Sequence, residues 1–133
     1  DVVVEIGCGR GKLCFWAARF IGCKVRGIEW VPSFVRLARG IAKLSGIAVS
    51  FEQSSMFDID LSQTTAAYLY AIHLSEERMQ DLAKQFEQMP ERAVVISIGE
   101  AIYSPQFQIE EIVEARFAWG KTKAFIQRKV QNG

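Results

Sequence analysis

The sequence predicts an α/β fold in which a doubly wound, mostly parallel sheet ends in an antiparallel β-hairpin. Short apolar segments rich in β-branched residues alternate with segments whose apolar residues recur at helical spacing. Such alternation is typical of a parallel sheet with helices on both faces. The last two extended segments are separated only by a short connection that contains Gly120, which is typical of a hairpin.

The composition fits a single domain over residues 1–133. Of these 133 residues, 50% are hydrophobic and 23% are charged, which excludes disordered and low-complexity classes. The net charge of +1 gives no reason to expect nucleic acid as a partner of this chain alone. No apolar stretch reaches the ~18 residues of a membrane-spanning helix. The three cysteines match no zinc-binding spacing and predict free thiols in a reducing compartment, hence a cytoplasmic protein.

Five strands are predicted before the hairpin. They are apolar segments bounded by glycine, proline or polar residues, over residues 1–6, 24–29, 47–53, 65–71 and 92–98. The two strands of the hairpin are predicted over residues 108–118 and 122–129. Because the chain begins inside a core strand, we also expect a segment that precedes residue 1 in a longer parent protein.

Three helices are predicted between these strands. The first spans residues 10–21 and ends at Gly22, and the second begins at Pro32 and ends at Gly46. Apolar residues at helical spacing form their expected buried stripes: Leu13, Trp16, Ala17, Phe20 and Ile21, and then Phe34, Leu37, Ala38, Ile41 and Leu44. The third helix begins after the cap residue Ser75 and stops at Pro90. Its inner face is predicted to hold Met79, Leu82, Phe86 and Met89.

A glycine-rich loop, Gly7-Cys8-Gly9-Arg10-Gly11, joins the first strand to the first helix. Glycine permits positive φ and lets a ligand approach the backbone at the carboxyl end of an open α/β sheet. The spacing G-x-G-x-G differs from the G-x-G-x-x-G that cradles a pyrophosphate. The alternative is a tight turn that merely requires glycine, although three glycines at alternate positions exceed what a turn needs.

Two residues at the end of the second strand are candidates for the same site. Glu29 can accept hydrogen bonds from both hydroxyls of a ribose, and the alternative is a solvated carboxylate at a strand end. Trp30 offers a flat face on which a purine could pack, and the alternative is packing under the second helix. Because parallel strands end at one edge of the sheet, we expect both residues to lie near the glycine-rich loop.

The segment Glu5-Ile6-Gly7-Cys8-Gly9-Arg10-Gly11, followed by Glu29, resembles the first motif and the ribose-binding acid of the class I S-adenosylmethionine-dependent methyltransferases. The resemblance covers essentially the whole chain, since the final hairpin is also typical of that Rossmann-like fold. It implies that S-adenosyl-L-methionine is the cofactor. It also implies that Glu5 reaches the amino group of the methionine part and that Glu29 holds the ribose. The backbone of the loop, at Gly7, Cys8, Gly9 and Gly11, would run along the cofactor.

The second half is similar to a small lysine-methylating group of this superfamily, which includes the ATP-synthase c-subunit lysine methyltransferase and, more distantly, the non-SET histone-lysine enzyme. The similarity rests on residues 53–61 and on the strand that follows. Where those families have an Asp, an apolar and an aromatic residue against the adenine, this chain has Ser55, Met56 and Phe57. The resemblance implies that Ser55 and Met56 belong to the cofactor site. The alternatives are a strand-to-loop turn for Ser55 and core packing for Met56 and Phe57.

In this fold the fourth strand ends beside the transferred methyl group, and here it carries the candidate catalytic residues Tyr70 and His73. Tyr70 is a candidate channel wall and His73 a candidate base, with a surface or capping role as the alternative for the histidine. The Asn/Asp-Pro-Pro-aromatic motif of relatives that methylate bases or glutamine amides is absent, which argues against those substrates. No pattern of metal ligands is present. Trp16 and Trp119 are interpreted as packing residues.

We therefore expect a methyltransferase that acts on the amine of a protein lysine, with a small molecule as the other acceptor class. The amine must be neutral to accept a methyl group, and a desolvated, aromatic-lined channel lowers the pKa of an amine. Two other functions stay open. One is a catalytically degenerate binding module of the same fold, which Ser55 favours, and the other is an NAD-dependent oxidoreductase on a similar sheet.

Overall fold

The structure is a computed structural model, and it describes residues 1–131 of the chain. Within that range the strands form one seven-stranded sheet. They are β1 (Val2–Ile6), β2 (Lys24–Glu29), β3 (Ser50–Gln53), β4 (Ala66–Tyr70), β5 (Val94–Ile98), β6 (Phe107–Phe117) and β7 (Gly120–Lys129). The helices are α1 (Lys12–Trp16), which continues as a π-helical turn (Ala17–Ile21), α2 (Pro32–Ser45) and α3 (Glu76–Phe86).

The sheet confirms the predicted doubly wound architecture. The strand order is β3-β2-β1-β4-β5-β7-β6, with β1 to β5 parallel and β7 antiparallel to both β5 and β6. The predicted third strand is shorter than expected, since β3 begins at Ser50 rather than at residue 47. The strand order reverses at β1, which lies between β2 and β4. In open α/β sheets, ligands bind outside the carboxyl ends of the strands at such a reversal.

The helices within residues 1–131 cover both faces of the sheet. The first two helices pack on one face, where Val25 and Phe51 belong to the same apolar cluster as Cys14, Val35 and Ala38. The third helix packs on the other face, in a larger cluster formed with residues of β1, β4 and β5. Among residues 1–131, no helix is both long and apolar enough to cross a membrane.

The predicted buried stripe of the first helix is confirmed only at Ala17 among its five members. The side chains of Trp16, Phe20 and Ile21 are 52%, 69% and 62% exposed, whereas Cys14 and Ala17 are buried. The helix lies on β2 through its small residues, which hydropathy does not single out from its larger apolar ones. It also begins at Lys12 rather than at residue 10, because Gly11 adopts the left-handed conformation with φ of 86° and ends the loop.

The buried stripe of the second helix is also displaced from the predicted one. Val35 and Ala38 are buried, whereas Leu37, Ile41 and Leu44 are exposed. Ala38 is therefore the one fully buried member of the predicted stripe. Apolar residues span about half of the helix circumference, and the sheet meets one edge of this apolar face rather than its centre, so periodicity alone does not select the buried residues.

The third helix agrees with its prediction. The Ser75 hydroxyl accepts a hydrogen bond from the backbone N–H of Arg78 at 3.3 Å, as expected of an N-cap. The predicted inner-face residues are all buried: Met79, Leu82, Phe86 and Met89. The helix ends at Phe86, so Met89 packs from the turn that follows.

Candidate functional site

The glycine-rich loop lies at the carboxyl edge of the sheet, at the reversal of strand order. The backbone N–H groups of Gly7 and Cys8 donate to the carbonyl of Ile28 at 2.8 and 3.0 Å. These bonds tie the loop that follows β1 to the end of the adjacent β2. The edge of the sheet and the loop therefore form one continuous backbone surface.

The glycines of this loop differ in what surrounds them. Gly7 and Gly9 have φ of 74° and 58°, and a Cβ atom at either position would meet nothing within 4 Å. Their backbone thus borders open space, which a ligand can occupy. Gly11 has φ of 86°, and a Cβ there would lie 2.5 Å from the ring of Phe51. Crowding requires glycine at position 11, whereas the conformation alone requires it at the other two.

The carboxylate of Glu29 is fixed against this loop. One oxygen accepts from the N–H of Gly9 at 2.8 Å, and the other accepts from the N–H of Val31 at 2.9 Å. Each carboxylate oxygen has a second lone pair, so both can still accept a hydrogen bond from a ligand. Glu29 is therefore an anchored acceptor rather than a freely solvated strand end.

Glu5 lies on β1 beneath the loop. Burial of its carboxyl group, together with the nearby charge of Glu29, raises its pKa to about 7, although the hydrogen bond from Cys14 opposes this rise. The Cys14 thiol donates to the Glu5 carboxylate at 3.3 Å. Tyr68 of β4 is opposite Glu5 in the register, and burial and the charge of Glu5 raise the pKa of this tyrosine. Glu5 is thus a half-buried acid that a ligand cation would stabilise in its charged form.

Replacing Glu5 with glutamine should stabilise the protein at pH 8 but not at pH 4. The pKa of Glu5 in the folded protein, about 7, exceeds its ordinary value of 4.5. Between pH 4.5 and pH 7 the folded protein therefore keeps a proton on Glu5 that the unfolded chain releases. The free energy of unfolding consequently falls as the pH rises through this range. Above pH 7 the wild type carries a buried charge that glutamine lacks, a difference of about 3 kcal/mol in the free energy of unfolding. Urea denaturation of both proteins at the two pH values measures it. An equal difference at both pH values would contradict the assigned burial.

One cavity of about 520 Å³ borders the loop on the side of the first helix. It is lined by Glu5, Cys8, Arg10, Lys12, Leu13 and Trp16. A second cavity, of about 430 Å³, lies beyond the end of β2. It is lined by Trp30, Ser55, Met56, Phe57 and Arg78. Glu29 bonds to Gly9 of the loop and precedes Trp30 of the second cavity, so the predicted cofactor residues come together along one edge of the sheet.

Ser55, which lines the second cavity, and its neighbour Ser54 form a hydrogen-bonded turn, which was the alternative interpretation of Ser55. The Ser55 hydroxyl accepts from the N–H of Phe57 at 3.2 Å, and Ser54 donates to the carbonyls of Ser55 and Asp58. The proton of the Ser55 hydroxyl stays available to a ligand in the cavity. Met56 and Phe57 pack partly against the main core and also line the second cavity, so each has a part in the core and a part in the candidate site.

The tryptophans are more exposed than packing predicts. Trp30 is 69% exposed and borders the second cavity, so it does not pack under the second helix. Trp16 and Trp119 are 52% and 56% exposed, which corrects their interpretation as packing residues. Trp16 contacts Phe20 on the outer side of the first helix, with ring centroids 6.1 Å apart. Leu13 and Trp16 therefore contribute the apolar surface that this helix gives to the loop cavity.

The candidate catalytic residues occupy different environments. Tyr70 ends β4 half-buried, and its ring meets that of Phe117 edge-on, with centroids 5.5 Å apart. His73 is exposed in the turn between β4 and the third helix. Sequence reasoning missed Tyr68 and Arg78. Alternation along β4 puts Tyr68 on the face of Tyr70, but its pairing with Glu5 depends on a strand register that the sequence does not reveal.

The described part of the chain offers no ready metal centre. Within residues 1–131, no group of three or more His, Cys, Asp or Glu side chains is placed to hold a metal ion. The three cysteines are free thiols, with Cys8 and Cys14 buried. The site is therefore built from backbone N–H groups, carboxylates and aromatic rings.

Comparison with known proteins adds a family relationship to this geometry. A family model described as a methyltransferase domain matches residues 3–92. Norajmaline N-methyltransferase from Rauvolfia serpentina is 32% identical over 89 residues, which are 65% of this chain and 30% of that protein. The chain thus spans less than a third of the length of this curated relative.

Solved structures share the whole fold. An RNA methyltransferase from Salinibacter ruber, solved in complex with S-adenosyl-L-homocysteine, is 29% identical with a TM-score of 0.81. That match covers 100% of this chain and 83% of the other. TrmN from Thermus thermophilus is 17% identical with a TM-score of 0.82, over 97% of this chain and 44% of that one, and this match shows the fold alone.

Proposed function

Because the chain belongs to the class I S-adenosylmethionine-dependent methyltransferases, we propose that residues 1–133 form one cofactor-binding domain that transfers a methyl group to the amine of a protein lysine. The observation that carries the proposal is the bare glycine backbone at the reversal of strand order, with Glu29 fixed across it. The choice of a lysine amine as the acceptor rests on further observations.

The residues of the site fit S-adenosyl-L-methionine. The space over Gly7 and Gly9 admits a ligand against the backbone, which side chains at these positions would fill. The two acceptor oxygens of Glu29 match the two donors of a ribose diol. Glu5 would hold the ammonium group of the methionine part, and the cavity of Trp30, Ser55 and Met56 would hold the adenine.

When bound, this cofactor supplies a methyl group on a positively charged sulfur, which makes the carbon reactive without help from the protein. The residues of the chain bind and orient the two partners and exclude water. Tyr70 at the end of β4 would form a wall of the acceptor site. His73, exposed in the turn after β4, would be a candidate base for the proton that the methylated amine releases.

Three observations bear on the acceptor. The curated relatives, norajmaline and ajmaline N-methyltransferases, are named for nitrogen methylation, which supports an amine. The resemblance of residues 53–61 to lysine-methylating proteins favours a protein lysine over a small molecule. The match to the RNA methyltransferase from Salinibacter ruber makes RNA the second candidate.

A labelling experiment separates these acceptors. The protein is incubated with methyl-labelled S-adenosylmethionine and a cell lysate, which is then separated into protein, RNA and small molecules. We expect label in protein, recovered as methyllysine after hydrolysis, and none with the Glu29→Ala variant. Label in RNA or in a small molecule would replace the lysine proposal. Binding of S-adenosylhomocysteine without any transfer would support the degenerate binding module, and stabilisation by NAD alone would support the oxidoreductase.

A further inference from the structure

Three aromatic side chains form a row at the carboxyl edge of the sheet. The rings of Tyr70 and Phe117 meet edge-on with centroids 5.5 Å apart, and Phe117 stacks on Trp119 with centroids 5.6 Å apart and planes 1° from parallel. Trp119 ends the row and is 56% exposed, so one face of its indole is open. None of the cavities described above includes Phe117 or Trp119.

The row rises above the edge where the cofactor is proposed to lie. Ile98, the last residue of β5, pairs with Ala124, and β7 begins four residues earlier at Gly120. The tip of the β6–β7 hairpin therefore extends about 13 Å beyond the parallel strands. Phe117 is opposite Gly120 at this tip, where no side chain competes for the space. The hairpin thus presents the ring pair beside the end of β4.

The charges of the hairpin are sorted between its two faces. Successive strand residues point to opposite faces, so Arg116, Lys121 and Lys123 lie on the face away from Phe117. Lys121 pairs there with Glu114 at 3.3 Å. On the face of the aromatic row, the neighbouring strands contribute Glu5 and Tyr68 near the cofactor site. The row is therefore separated from the basic residues at the tip of its own hairpin.

We propose that the aromatic row Tyr70–Phe117–Trp119 is the binding site for the acceptor, and that it takes an alkylammonium side chain. This inference rests on the proposed methyl transfer to an amine, and the bound ammonium group must release a proton to solvent before its nitrogen can accept the methyl group. Aromatic faces attract cations and also cover an alkyl chain, and residues 113–124, the part of the hairpin beside the rings, place no basic side chain on this face, which suits a cation. A nucleic acid would instead need basic residues on the face of the rings, because phosphate contacts dominate its affinity.

Indole NMR signals of the intact protein test this site directly. The chain has three tryptophans, and each indole N–H signal is assigned by a Trp→Phe variant. The probes are n-butylammonium, neutral 1-butanol as its matched control, and a decauridylate. We expect n-butylammonium to shift the Trp119 signal more strongly than 1-butanol does. The decauridylate should not shift the Trp119 signal.

Substitutions of Trp119 test the site through the affinity of the protein for n-butylammonium. Trp119→Leu should raise the dissociation constant of n-butylammonium about tenfold, and Trp119→Phe about threefold, because a smaller ring retains part of the cation–π attraction. Phe20→Leu, which removes an exposed ring outside the row and outside both cavities of the cofactor site, should leave this constant unchanged. The signal of Tyr70 or Phe117 ring protons reports binding in the Trp119 variants.

Each outcome decides for or against the site. Equal shifts with 1-butanol would show an apolar patch without preference for cations, and a response to decauridylate alone would favour a nucleobase platform; either overturns the proposal, as does no response. A separate titration with S-adenosylhomocysteine, followed at the amides of Gly7 and Gly9, tests the cofactor site. Failure there would refute the proposed function, whatever the probes show at Trp119.

Discussion

Replacing Glu29 with alanine is expected to abolish detectable binding of S-adenosylhomocysteine. The carboxylate offers an acceptor to each ribose hydroxyl, and hydrogen bonds to a charged group contribute about 1.5–3 kcal/mol each. Loss of both corresponds to at least about a hundredfold weaker affinity. The change also removes the bonds that fix Gly9 and Val31, so the loop that faces the cofactor loses its anchor. Isothermal titration calorimetry of the folded variant measures the effect.

A second carboxylate provides the matched control. Glu52 on the neighbouring strand forms an ion pair with Arg26 at 2.8 Å and lies outside the site. Glu52→Ala should therefore keep the wild-type affinity, while Glu29→Gln, which retains one acceptor oxygen, should fall between wild type and Glu29→Ala. Equal affinity of the wild type and Glu29→Ala would refute the role assigned to this carboxylate.

Replacing Gly11 with alanine is expected to lower the free energy of unfolding by about 3–4 kcal/mol. A left-handed conformation costs an L-residue about 1–2 kcal/mol, and overpacking a core adds about 1–3 kcal/mol. The new Cβ would lie 2.5 Å from Phe51. This ring is buried and packs against Phe15, with centroids 5.4 Å apart. It also abuts Gly27, which limits its freedom to move away.

Gly46 isolates the contribution of crowding. It has φ of 72°, similar to that of Gly11, but a Cβ there would meet nothing within 4 Å. Gly46→Ala should therefore cost only about 1 kcal/mol, from the conformation alone. Chemical denaturation of both variants measures the difference. Equal losses would mean that Phe51 yields without cost and that the close packing under the loop is not what fixes glycine at position 11.

The sequence predicted the sheet and the loop because local signals specify them. The apolar runs of β1 and β2 bound the glycine-rich loop and Glu29, and parallel pairing brings the ends of both strands to one edge. The third helix was predicted correctly because its N-cap residue marks its start and its apolar residues form a single face. The anchoring of Glu29 by Gly9 follows from that shared edge, but the sequence does not specify which backbone groups donate.

The faces of the first two helices could not be predicted from the sequence. Apolar residues surround much of both helices, and the sheet selects the small residues Cys14, Ala17 and Ala38 because they permit close approach. The contact between Tyr70 and Phe117 depends on the order β4-β5-β7-β6 and on strand register, which join residues far apart in the chain. Such pairings are decided by tertiary packing rather than by local propensity.

The crystal structure of the complex with S-adenosylhomocysteine tests the central claim most directly. We expect both ribose hydroxyls within about 3.2 Å of the Glu29 carboxylate oxygens. The nucleoside should lie against the backbone of Gly7 and Gly9. A complex in which Glu29 points away from the sugar, or in which side chains fill the space over these glycines, would contradict the proposed site.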